Sequence, residues 1–343
     1  MKRFACLSLI LLLVNVAPLS SVAESPTIPR ILLDTDMATD CDDAGALGVL
    51  HALADNGECE ILATVVSSLN PTASAAVETI NTYYHRPGLP VGAVRGSGAK
   101  VTSRFTDRLA SAFPHHFHEG VEVPDALLVY RDILEQQADH SVTIVTVGYL
   151  TNLRNLMQMP TSEGHLSGID LIQAKVKKWV CMGGNFIGQP AVDDLKLDNV
   201  NFRRDAASAF EVIRHWPVKV DFAGREVCSI PSGLEAGAVL VGTPAGNPVR
   251  MAYESYFGGP GRSRHVADLV TVLYAVRGLR DYWDISEAGW MDIAPDCSFT
   301  WKSDPAGKQA YLLKKQINDQ PNDDTIEKTL DELLIREPRS KGR

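Results

Sequence analysis

Six short apolar runs, most followed by a helix-like stretch, constrain this chain most. They are "RILLDT" from Arg30, "EILATVVSS" from Glu60, "LPVGAV" from Leu89, "SVTIVTVG" from Ser141, "VKKWVCMGG" from Val176 and "VKVDFAG" from Val218. A strand with one wet face alternates apolar and polar residues, and most of these runs do not. They fit strands covered on both faces. Helix candidates at Asp42 to Asp55, Ala73 to Tyr84, Pro124 to Gln137, Thr151 to Gln158 and Arg204 to His215 lie among them. Strand then helix, repeated, predicts an α/β fold: an open, mostly parallel sheet with helices on both faces. Such sheets bind ligands beyond the carboxyl ends of their strands. That rule singles out Asp34 and Asp36, Asn70, Val147 and Gly148, and Gly183 to Asn185 as residues meeting on one rim.

The 343 residues, 45% of them hydrophobic, suffice for a full core, and no repeat or low-complexity linker divides them. Residues 1–23 read as a secretory leader: Lys2 and Arg3, an apolar run from Phe4 to Val14, and "SVA" before Glu24. That run is shorter than the roughly 20 residues a membrane span needs, so after cleavage no membrane association is expected. The reading is an exported protein, periplasmic or extracellular, with one domain over 24–335 and a basic, disordered tail over 336–343. Net charge is −9, and loss of Lys2 and Arg3 with the leader leaves −11. Such a chain has no electrostatic pull toward a nucleic acid polymer. Cys41, Cys59, Cys181, Cys228 and Cys297 would remain, which excludes a dense disulfide framework and permits one or two bridges.

Chemistry concentrates in "RILLDTDMATDCDDAGAL", where Asp34, Asp36, Asp40, Asp42 and Asp43 follow an apolar run. Carboxylates brought together repel one another and rise in pKa unless a cation lies between them. Calcium suits such a site because it takes six to eight oxygen ligands. Asp42 and Asp43 also sit where a helix N-terminus favours negative charge. An EF-hand loop does not fit, since its Gly and distant Glu are missing. The phosphatase motif DxDx[TV] fits at Asp34 and Asp36 but has Ala38 where it needs Thr or Val.

The stretch "DTDMATDCDDAGAL" resembles the N-terminal signature of the inosine-uridine-preferring nucleoside hydrolases, especially exported relatives of the form DTDxxxDxDDxxAL. "VTIVTVGYLTNL", "VCMGG", "NVNFRRDAASA" and "ADLVTVLYAV" resemble, in order, four further segments of that family. The resemblance implies a Rossmann-like fold and calcium-dependent hydrolysis of the N-glycosidic bond of a ribonucleoside by an activated water. It implies Asp36, Asp43, the Val147 carbonyl and Asp268 as calcium ligands, with Asp36 doubling as catalytic base. It implies Asp42, Asn70, Asn199 and Asn201 as substrate-binding residues. The partner would be a small nucleoside or ribosyl substrate, and a homo-oligomer is possible.

Two positions depart from the pattern. Asn199 stands where the family has a sugar-binding Glu, and Ala267 where it often has a His before the late aspartate. His265, Tyr253, Tyr256 and Trp283 are therefore the candidates for activating the leaving group. Arg203 and Arg204 are expected to cap or pair at a helix start, and "GGPGRSR" over 258–264 to form a loop that could close over the site. These departures keep two alternatives open: hydrolysis of another ribosyl or glycosyl conjugate, and non-catalytic, calcium-dependent binding of a sugar or nucleoside.

Overall fold

The structure, a computed structural model, describes residues 28–118, 121–187 and 199–339. Residues 1–23, expected to be a leader, and residues 340–343 lie outside them. Six strands form where the apolar runs predict: β1 (Arg30–Thr35), β2 (Glu60–Val66), β3 (Val91–Ala93), β4 (Val142–Thr146), β5 (Val176–Met182) and β6 (Val220–Ala223). They stand in the order β3-β2-β1-β4-β5-β6, every neighbouring pair parallel. The chain builds outward from β1 to β3, then returns to lay β4 on the other side of β1. Between β1 and β4 the direction of building reverses, and there the crossovers part to leave a crevice.

The sheet continues through strands that the sequence reading did not anticipate. After a short ribbon of β7 (Glu235–Ala236) and β8 (Arg264–His265) come β9 (Trp283–Ile285), β10 (Gly289–Ile293), β11 (Phe299–Ser303) and β12 (Gln309–Lys314). Strand β12 pairs parallel to β6, while β9, β10 and β11 are antiparallel and complete a 10-stranded sheet. In β10 buried and exposed residues alternate, as a strand with one wet face requires.

Helices cover both faces. They are α1 (Asp42–Asp55), α2 (Ala73–Tyr83), α3 (Thr106–Ala112), α4 (Ala126–Glu135), α5 (Thr151–Met157), α6 (Gly168–Lys175), α7 (Val200–Arg203), α8 (Ala206–His215), α9 (Arg225–Cys228), α10 (Pro248–Phe257), α11 (Ala267–Arg277) and α12 (Asp323–Leu334). Successive residues of β1 feed opposite cores: Ile31 and Leu33 join the side of α1 and α11, Leu32 that of α4, α5 and α8. Helix α1 is buried from Asp42 through Leu53, which explains its weak amphipathicity. It packs against α11, and the missing side chain of Gly45 makes room for the Tyr253 hydroxyl and for Leu269. That packing brings the first turns of α1 and α11, with Asp42, Asp43 and Asp268, to the same end of the sheet.

Cys41, Cys59, Cys181, Cys228 and Cys297 are all buried, and among the described residues no disulfide joins Cys41, Cys59, Cys181 or Cys228. Arg339 donates from its backbone to Asp55 Oδ2 at 2.9 Å and from its guanidinium to the Asp55 carbonyl at 3.2 Å. Residues 336–339, expected to be disordered, are thus tied to the end of α1. Among the described residues no helix is long and apolar enough to cross a membrane.

Candidate active site and metal centre

A cavity of about 320 Å³ opens beyond the carboxyl ends of β1 and β4. Asp36 and Asp40 come from the β1–α1 connection, Asp42 and Asp43 from the first turn of α1, Val147 and Met182 from the ends of β4 and β5, and Asp268 from α11. Asn199, Asn201 and Arg204 come from α7 and its flanks, Arg225 from α9, and Tyr256, Arg264 and His265 from α10 and β8. Seven of the eight site residues expected from sequence line this one space. Asn70 does not. Its Oδ1 accepts from the Thr72 backbone and hydroxyl, both at 3.0 Å, and its amide turns to the Val101 carbonyl, so it serves the turn into α2.

The carboxylates crowd as the sequence implies. Burial, with the charge of Asp40, pushes Asp36 up to about 6, against the lowering influence of Tyr149, Asp43 and Arg204. Burial also raises Asp42, Asp43 and Asp268 well above the usual range, and each is raised further by the other aspartates. Asp40 behaves differently. Burial opposes its ionisation, but a hydrogen bond with Asp42 and the nearby Arg264 and His265 outweigh that and hold it below the ordinary value. Asp34 lies behind the cavity, pushed up to about 8 by burial although Tyr130 donates to it at 2.9 Å and Asn152 at 3.2 Å.

Among the described residues, two of the cavity carboxylates have a buried oxygen with no hydrogen-bond partner, Asp36 Oδ2 and Asp42 Oδ1. Buried carboxylate oxygens left unpaired are costly, and a cation satisfies several at once. The donor set is rich in hard oxygens and fits a divalent metal that prefers them. The closest grouping differs from the expected one. Among the described residues, Asp40, Asp42 and His265 bring one ligand atom each within 4.8 Å of one another. Asp43 instead accepts from the Thr35 hydroxyl, the Met37 amide at 3.1 Å and the Ala38 amide at 3.4 Å, so its carboxylate serves the loop that carries Asp36. The Val147 carbonyl accepts from Asn201 Nδ2 at 3.0 Å. Asn199 caps α7 through Phe202 and keeps a buried, unpaired Nδ2 at the cavity wall.

Residues 31–305 match the inosine-uridine preferring nucleoside hydrolase family. The chain belongs to that family. It is accordingly a hydrolase of the N-glycosidase class, and the family's reaction is hydrolysis of the N-glycosidic bond of nucleosides. No curated protein matches the chain in sequence. Solved structures share the fold at low identity. An inosine-uridine preferring nucleoside hydrolase from Bacillus anthracis has 15% identity and a TM-score of 0.64, covering 90% of this chain and 99% of its own. A purine-preferring ribonucleoside hydrolase from Gardnerella vaginalis has 15% identity and a TM-score of 0.63, covering 89% and 98%. The type III effector protein XopQ, complexed with adenosine diphosphate ribose, has 14% identity and a TM-score of 0.61, covering 92% and 94%.

Of the leaving-group candidates in this nucleoside hydrolase, Tyr256 and His265 line the cavity, and burial with the Arg264 charge pushes His265 down to about 4. Tyr253 and Trp283 are buried in the core. Arg204, expected at a helix start, reaches the Tyr149 hydroxyl at 3.3 Å and lines the cavity. Sequence reasoning missed Arg225 and Arg264. Arg225 follows the end of β6 by two residues and was within reach of the strand-end rule; Arg264 belongs to a ribbon that has no periodic signal.

Proposed function

We propose that this family member is a calcium-dependent hydrolase of ribonucleosides that releases ribose and a free base. The observation that carries the reading is the pair of unpartnered oxygens, Asp36 Oδ2 and Asp42 Oδ1, among carboxylates lining one cavity. Calcium held by Asp36, Asp43, Asp268 and the Val147 carbonyl would orient a water, lower its pKa and take the ribose hydroxyls. Asp36, beside the ion, would accept that water's proton. Asp42, Asn199 and Asn201 line the same space and hold the sugar, fixing C1 over the nucleophile. The remaining negative charge favours a cationic, oxocarbenium-like transition state. In this reading the leader directs the protein out of the cytoplasm, where it serves base salvage.

The test is ribose release from inosine, uridine, adenosine, guanosine and cytidine, with calcium or with chelator. Calcium-dependent release that Asp36→Ala abolishes is expected. Tight calcium binding without release from any nucleoside overturns the reading in favour of a binding protein. A second reading is favoured by Arg204 and Arg225 in the cavity wall. Two guanidiniums beside the sugar site suit a ribosyl conjugate that carries phosphate, the class to which the ligand of XopQ belongs. Adenine release from adenosine diphosphate ribose in preference to adenosine would establish it.

A further inference from the structure

Breaking the glycosidic bond leaves its electron pair on the base. The water oxygen bonds to C1, the water's proton goes to Asp36, and the departing base takes up a proton from solvent. A group that speeds the cleavage from the leaving side must therefore meet a flat aromatic ring acquiring negative charge. The carboxylates of the cavity oppose that charge, and Ala267 brings no donor.

We propose that Arg264 is the leaving-group residue, its guanidinium stabilising the base as the C1–N bond breaks; this rests on the N-glycosidase reading above. Three arginines line the cavity. Arg204 lies on the nucleophile's side, bonded to Tyr149 and close enough to lower the pKa of Asp36. Arg225 opens α9, close enough to His265 to lower its pKa. Arg264 has the combination that a departing base needs. Its Cζ lies 5.4 Å from the centroid of the Tyr256 ring, so one wall presents a cation beside an aromatic surface.

The side chain is also held in place. Its Nη2 donates to Asp40 Oδ2 at 2.6 Å, which fixes the fork against the β1–α1 connection. The backbone is pinned by the ribbon, with Arg264 opposite Ala236 and His265 opposite Glu235. Tyr256 carries Arg104 as well, at 5.6 Å from its ring centroid. Asp40 is the one hydrogen-bond partner of the Arg264 fork among the described residues, and Nε is buried with no partner at all. The fork is thus oriented by one contact and keeps donors for another. His265 shares that carboxylate, its Nε2 3.9 Å from the same Asp40 Oδ2, and it groups with Asp40 and Asp42 as a set of candidate metal ligands.

The experiment compares wild type, Arg264→Lys and Arg264→Ala on inosine and on 4-nitrophenyl riboside, whose nitrophenolate departs without help. For Arg264→Ala a loss in kcat of about 10²–10³ on inosine is expected, against less than about five-fold on the nitrophenyl riboside, with Arg264→Lys between. Retained turnover of the nitrophenyl substrate also shows that the variant is folded. Across substituted phenyl ribosides, kcat in Arg264→Ala should fall more steeply with leaving-group pKa than in wild type. Equal loss on both substrates, or no loss on inosine, overturns the role of Arg264. Wild-type turnover of the nitrophenyl riboside alone overturns it too. No turnover of either substrate by wild type overturns the N-glycosidase reading itself.

Discussion

Asn201 donates its side-chain amide to the carbonyl oxygen of Val147 over 3.0 Å, joining segments 54 residues apart. The bond docks α7 on the end of β4 and holds the carbonyl proposed as a calcium ligand. A partner that orients a ligating oxygen typically matters ten- to a hundred-fold in metal affinity. Asn201→Ala should therefore weaken calcium binding by about ten- to a hundred-fold in titration calorimetry, with the far-UV circular dichroism unchanged. Undiminished affinity would remove the Val147 carbonyl from the site.

The rim was legible in the sequence because one rule, polar residues past buried strands, needs no tertiary knowledge. It found Asp36 and Val147, while Asp43 and Asp268 came from motif resemblance, and all four line the cavity. The same rule misplaced Asn70, since a residue past a strand can as well serve the next turn, as its bonds to Thr72 do. Trp283 and Tyr253 went astray because burial depends on what packs opposite, here α1 and α11. The antiparallel strands β9 to β11 were not read at all. They are three to five residues long, too short for a period to register.

Asp36→Asn keeps an oxygen for a metal but removes the base. With saturating calcium, kcat on the best nucleoside should fall by about 10²–10⁴ while KM changes little. Steady-state kinetics decide it. A fall of less than about ten-fold would place the base elsewhere.

Stability of the metal-free protein should decline as pH rises. Asp34 at about 8 and Asp36 at about 6, with Asp42, Asp43 and Asp268 also raised, keep protons in the folded state that the unfolded chain releases near pH 4. A group raised on folding favours the native state below its unfolded value and loses that contribution as pH climbs to the folded one. In chelator, the midpoint of thermal unfolding should drop from about pH 4.5 to about pH 8. Calcium should restore most of it, and more at the higher pH. The share due to Asp34, which does not line the cavity, should persist. A midpoint that rises with pH in chelator would contradict this ordering of the carboxylates.

Gly148 tests how tightly the two strand ends must close. A Cβ built there would lie 2.4 Å from the Asp36 backbone nitrogen and 2.7 Å from Ser67 Oγ. Neither atom can retreat easily: Ser67 accepts from the Tyr149 amide at 3.1 Å, and Asp36 sits in the loop braced by Asp43. Gly148→Ala should therefore destabilise by about 1–3 kcal/mol, as overpacking does, and should also lower kcat because the displaced atom carries the catalytic carboxylate. Gly88→Ala, where a Cβ meets nothing within 4 Å, is the control expected to change neither. Denaturant titration and steady-state kinetics on both variants settle it. If Gly148→Ala loses stability but keeps full kcat, the position of Asp36 tolerates a shift that this arrangement forbids.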